Sequence, residues 1–153
     1  MRLRTLLDRW TVRDVHAHCD LPCGIYDPAQ ARIEAESVAS IMKKYQESDD
    51  ETFRQRAIQI KEERADLVKH HLWVLWTDYF KPEHLEQYPE LHELFWKATK
   101  AAGASKKSVD PADGEALLAT IAEIDRIFWE TKGGAPAPAS GAAPGDAPAT
   151  ASA

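Results

Sequence analysis

Residues 27–45 read DPAQARIEAESVASIMKKY, and their spacing decides the fold. Asp27 is a capping residue, Pro28 suits the first helical position, and Gln30 is placed to complete a capping box. Ala31, Ala35, Val38, Met42 and Tyr45 then recur at intervals of three and four, which is one face of an amphipathic helix.

Toward the C-terminus, Ser48-Asp49-Asp50-Glu51 breaks that row and offers the next capping box. A long second helix follows, with Phe53, Ala57, Ile60, Leu67, Leu72 and Leu75 as its expected buried stripe. It runs toward Tyr79 and must stop before Pro82, because proline disfavours helix in the residue before it. Pro82 and Pro89 bracket a short irregular piece. Leu91, Leu94, Phe95 and Ala98 mark a third helix that ends near Gly103. Asp110-Pro111-Ala112-Asp113 starts a fourth, lined by Leu117, Ile121, Ile124 and Phe128 and stopped at Lys132-Gly133-Gly134. No segment alternates like a strand.

The expected fold is therefore all-α, an antiparallel four-helix bundle. Trp73, Trp76, Trp96 and Trp129 are expected in the core or in an interface. Residues 133–153 are almost entirely Gly, Ala, Pro, Ser and Thr, a composition that cannot bury apolar surface, so a disordered tail is expected there.

Toward the N-terminus lies HCDLPCGIYD, residues 18–27. If the chain began at His18, its free amine, the amide nitrogen of Cys19 and the Cys19 thiolate would form two fused five-membered chelate rings on one metal. A turn through Pro22 could bring Cys23 to the fourth position. Such a planar set of two nitrogens and two sulfurs favours Ni(II) or Cu(II), whereas zinc prefers a tetrahedron. Two thiolates and an anionic amide are strong donors that stabilise a higher oxidation state. The His18 imidazole remains available as an axial ligand. While Ala17 is attached, the amine is an amide and this site cannot form.

Residues 1–17 carry four arginines against two aspartates. Val15 and Ala17 fit a small-residue cleavage rule, but the apolar run of roughly 7–15 residues that a secretory signal needs is missing. The reading favoured is a leader removed on maturation, in a cytoplasmic protein. A retained N-terminal helix, Leu3–Trp10, is the alternative.

The string H-C-D-L-P-C-G-x-Y-D-P resembles the processed N-terminus of the nickel-containing superoxide dismutases. Further matches are A-Q-A-R-I-E-A-E-S-V (29–38), K-H-H (69–71), D-Y-F-K-P (78–82), Y-P-E-L-H (88–92) and I-F-W-E-T-K (127–132). The resemblance covers His18 to about Lys132, so the expected organisation is a leader over 1–17, hook plus bundle over 18–132, and a tail over 133–153. It implies conversion of superoxide to dioxygen and hydrogen peroxide by Ni(III)/Ni(II) cycling, with one nickel ion per subunit. It implies His18, Cys19 and Cys23 as ligands. Glu34 resembles the carboxylate that holds the His18 imidazole, and Arg64 the arginine that supports it, placed near the hook of a neighbouring subunit. Tyr26 and Tyr79 resemble the tyrosines that border the substrate approach. Asp20 and Pro22 would shape the hook, and Lys81 would add positive charge. A homo-oligomer, a hexamer, and a maturation protease are implied as well.

Other histidines invite a metal reading. Adjacent His70 and His71 point about 100° apart on a helix and do not easily serve one site. His16 would leave with the leader, and His84 and His92 have no evident partner and are expected at the surface. One rival reading is a zinc- or copper-binding helical module that retains its leader and uses His16, His18, Cys19 and Cys23. Another is a non-metal interaction protein with a thiol pair. The chain has 153 residues and a formal net charge of −6, which disfavours binding to nucleic acid or an anionic membrane. No apolar run approaches the roughly 18 residues of a membrane span. Two cysteines do not make a disulfide scaffold.

Overall fold

The structure is a computed structural model that describes residues 24–134. The expected leader, the ligands His18, Cys19 and Cys23, and all but the first two residues of the expected tail lie outside the described residues.

Four long helices form the body: α1 (Ala29–Glu47), α2 (Glu51–Val74), α4 (Leu91–Lys107) and α5 (Pro111–Thr131). A single π-helical turn, Leu75–Tyr79, continues α2, and a short α3 (Pro82–Gln87) leads into α4. The caps act where the sequence places them. Asp50 accepts the N–H groups of Thr52 and Phe53, and Asp110 accepts that of Ala112. Asp27 accepts the Ala29 N–H at 2.7 Å. α5 stops at Gly133, whose φ of 72° is the left-handed conformation in which glycine is favoured.

Connections of three residues make α1 and α2, and α4 and α5, antiparallel neighbours. α1 packs on α2 and α5, and α4 packs on the same two, so the helices close a square around one core. Ala31, Ala35, Val38 and Met42 of α1 are buried, as are Leu117, Ile121, Ile124 and Phe128 of α5. Gly114 permits the closest approach: a Cβ there would lie 2.8 Å from the Cα of Ala39. Among the described residues, no helix is long and apolar enough to cross a membrane.

Three expectations are corrected. The buried face of α2 runs through Ala57, Lys61, Ala65, Val68 and Leu72, then Leu75, while Phe53 and Leu67 are exposed and Ile60 is half-buried. Close helix contact selects small residues there, and hydrophobicity alone chose larger side chains on the neighbouring rows. Lys61 is only 2 % exposed, and its ammonium donates to the carbonyls of Ser105, Lys106 and Ser108 at 2.6, 2.8 and 2.7 Å. It thereby caps the C-terminus of α4 with a positive charge. α4 continues past Gly103 to Lys107: that glycine sits within the helix, beside the ammonium end of the Lys69 side chain. The piece between Pro82 and Pro89 is helical, not irregular.

Candidate functional site

One end of the bundle gathers the start of α1, the end of α2, α3, and the end of α5. The described chain begins there at Gly24, next to Cys23, with a φ of 71°. Ile25 is 78 % exposed, Tyr26 is half-buried, and Pro28 is fully buried. The hook is thus anchored on its C-terminal side by Tyr26 and Pro28.

Tyr26 meets Tyr79 with ring centroids 5.8 Å apart. The π turn sets the direction of Tyr79. Its closing bond runs from the Phe80 N–H to the Leu75 carbonyl, and this wider turn shifts Tyr79 relative to an α-helical path. Tyr79 lies 4.4 Å from the Phe128 ring, and the Lys132 ammonium lies 5.3 Å from its centroid. Its oxygen is 2.6 Å from Thr131 Oγ1, whose own hydrogen goes to the Phe128 carbonyl at 2.7 Å. A hydroxyl has one hydrogen, so Tyr79 is the donor in that chain.

Glu34 sits about one and a half turns into α1. Arg64 Nη1 donates to both of its carboxylate oxygens, at 3.3 and 3.2 Å, from the facing side of α2. The carboxylate is largely buried and the guanidinium about half exposed. The pair is built within one chain: Arg64 is tied to its own Glu34, whatever hook lies nearby. Lys81 is exposed at the start of α3.

Two of the sequence readings change here. His84 is not an unpartnered surface residue: it is half-buried, and its ring stacks on Tyr79 at 5.6 Å and 21°. Its signal in the sequence was its place three residues after Lys81 at a proline-started helix, the third helical position that can return a bond to the cap. His92 is exposed, but its ring meets Trp76 edge to face at 5.5 Å. The rings of His70 and His71 are also edge to face, at 5.5 Å. Among the described residues, no three His, Cys, Asp or Glu side chains converge on one metal position.

In a chain beginning at His18, the donors of His18, Cys19 and Cys23 would fit nickel on their chemistry, with two thiolates and two nitrogens, one of them an anionic amide. An antiparallel helical bundle with such a hook leading into its first helix defines a class of small all-α metalloproteins. The chain matches the family described as nickel-containing superoxide dismutase over residues 13–132, and it belongs to that family. A superoxide dismutase [Ni] from Streptomyces seoulensis is 64 % identical over 118 residues, covering 77 % of this chain and 90 % of that protein. A crystal structure of a Ni-containing superoxide dismutase, with nickel ligation corresponding to partial reduction by X-rays, is 64 % identical. It has a TM-score of 0.74 and covers 76 % of this chain and 99 % of that one. A third relative, a solved variant with alanine in place of the histidine at its first position, is 59 % identical. Its TM-score is 0.69, with 71 % of this chain and 99 % of that one covered. Nothing in these similarities supports the zinc or copper reading.

Proposed function

We infer that this chain is the precursor of a nickel superoxide dismutase. Two superoxide anions and two protons become one dioxygen and one hydrogen peroxide. The observation that carries this reading is membership of the family together with an intact hook string at residues 18–28. When bound, nickel supplies one-electron chemistry between Ni(III) and Ni(II).

Residues 1–17 act as a chemical block, because only a cleaved chain has a free amine on His18. A solved relative whose first residue is naturally histidine supports cleavage after Ala17. In the matured chain His18, Cys19 and Cys23 hold the metal. The Glu34 carboxylate, pinned by Arg64, accepts the imidazole N–H of His18 and fixes its ring. Tyr26 and Tyr79 narrow the approach to a small anion, and the ammonium groups of Lys81 and Lys132 raise its local concentration. The Tyr79 proton is engaged by Thr131, so this ring shapes the entrance.

The working form is a homo-oligomer, a hexamer, in the cytoplasm. Supporting assembly into an oligomer, Trp73 and Trp96 are 53 % and 60 % exposed, and Ile25 and Ile33 are exposed as well. Large apolar side chains grouped on a surface mark contacts with a partner. The test compares the full chain with a chain beginning at His18, both supplied with nickel. Intact mass, nickel content and superoxide decay are measured. Only the shorter chain is expected to bind nickel in planar form and consume superoxide. Full activity in the uncleaved chain would overturn the role of the leader, and inactivity of both would overturn the function.

A further inference from the structure

The imidazole of His84 does two things at once. Its Nδ1 accepts the Lys81 backbone N–H at 3.2 Å, so His84, the third helical residue of α3, returns a bond to the capping residue Lys81. Accepting there places the ring proton of the neutral imidazole on Nε2. Its face stacks on Tyr79, and its edge meets Phe80 at 5.8 Å and 87°. One side chain therefore holds the ring of Tyr79 and the backbone of Lys81, the two residues on either side of Phe80.

The remaining supports of Tyr79 come from elsewhere. Phe128 and Thr131 lie at the end of α5 and Lys132 just past it, Tyr26 lies in the segment before α1, and the neighbouring Phe80 ring meets Tyr79 edge to face at 5.0 Å. Without His84, nothing from α3 would touch the phenol ring among its ring contacts in the described residues. The π turn that carries Tyr79 ends in extended backbone at Phe80 and Lys81. The closing bond from the Phe80 N–H to the Leu75 carbonyl sets where Tyr79 leaves the backbone, and the contacts of its ring set how the ring is held beyond that point.

We propose that His84 is a positioning residue for the substrate approach: it fixes Tyr79 by stacking, and it does so independently of its part in capping α3. The proposal rests on the reading of Tyr79 as a border of that approach.

The two roles separate by substitution in the processed, nickel-loaded enzyme. His84→Asn keeps an acceptor for the Lys81 N–H but has no ring to stack. His84→Phe keeps the ring but has no acceptor. Steady-state and stopped-flow superoxide decay give kcat/KM, metal analysis and the nickel absorption spectrum report the hook, and thermal melting reports the fold. His84→Asn is expected to lose about tenfold in kcat/KM, inside the roughly hundredfold that a misplacement of about 1 Å can cost. Its nickel content, spectrum and melting temperature should match those of the parent. His84→Phe is expected to melt at a lower temperature and to keep kcat/KM within about threefold. The opposite pattern, or parental kcat/KM in both variants, would overturn the proposal, as would losses that simply follow nickel content. Tyr79→Leu in the same assay separates the two readings. If Tyr79→Leu lowers kcat/KM and His84→Asn does not, only the role of His84 fails. If Tyr79→Leu is silent, the border reading fails and this proposal with it.

Discussion

Replacing Lys61 with methionine tests the main polar element of the core. Lys61 is 2 % exposed, and all three of its ammonium hydrogens go to carbonyls at the end of α4. Methionine keeps an apolar stem of similar length and removes the donor. The bond to Ser105 is buried, and those to Lys106 and Ser108 are part-buried. A buried acceptor left unpaired costs about 1–3 kcal/mol, and bonds to a charged donor contribute about 1.5–3 kcal/mol each. The two part-buried carbonyls turn to water and recover most of their share. Losing a cation at a helix C-terminus removes up to about 1 kcal/mol more. Burying an ammonium has its own cost, which methionine relieves. The net expected loss is about 3 kcal/mol, a large part of the roughly 5–15 kcal/mol that holds a domain together. Urea unfolding measures it, with parent and variant at equal chain concentration because assembly feeds into stability. Lys61→Gln, with two neutral donors, should fall between them. A methionine variant within about 0.5 kcal/mol of the parent, or above it, would show that desolvation outweighs the three bonds and would refute the argument.

Gly114→Ala should destabilise by about 1–2 kcal/mol in the same unfolding assay. Overpacking against Ala39 and Met42 costs roughly 1–3 kcal/mol, partly offset by the helical preference of alanine; a gain in stability would mean that α1 and α5 separate freely. Burial pushes the Asp125 carboxyl above its ordinary value despite Arg32. Between the unfolded value of 3.8 and the raised folded one, the folded state holds more protons, so stability falls as pH rises through that window; Asp125→Asn should lack this part of the slope in acid-range unfolding curves. Cys19→Ser or Cys23→Ser exchanges a thiolate for a hydroxyl protonated at neutral pH and should abolish planar nickel binding, read by metal analysis and absorption. His18→Ala keeps the amine and should retain nickel while turning over much more slowly; complete loss of nickel would refute the division between planar and axial ligands.

By itself the sequence determined the four long helices and their starts, and it carries the chemistry proposed for the hook. Caps and prolines act on the backbone within a few residues, so Asp50, Asp110 and Pro111 mark helix starts without knowledge of the rest of the chain. The chelation proposed for His18, Cys19 and Cys23 is equally local, since the donors sit within six residues. Glu34 and Arg64 were named through the family pattern, and the structure adds their direct contact across α1 and α2. What only the tertiary structure decided are the contacts between distant segments. The inward face of α2 depends on where the α4 carbonyls lie, and that made Lys61 a core residue while Phe53 and Leu67 face outward. The partner of His84 depends on the extra residue in the π turn, which no helical periodicity contains. Spacing in a sequence specifies which side of a helix a residue occupies, but the neighbour on that side is set by how the helices pack.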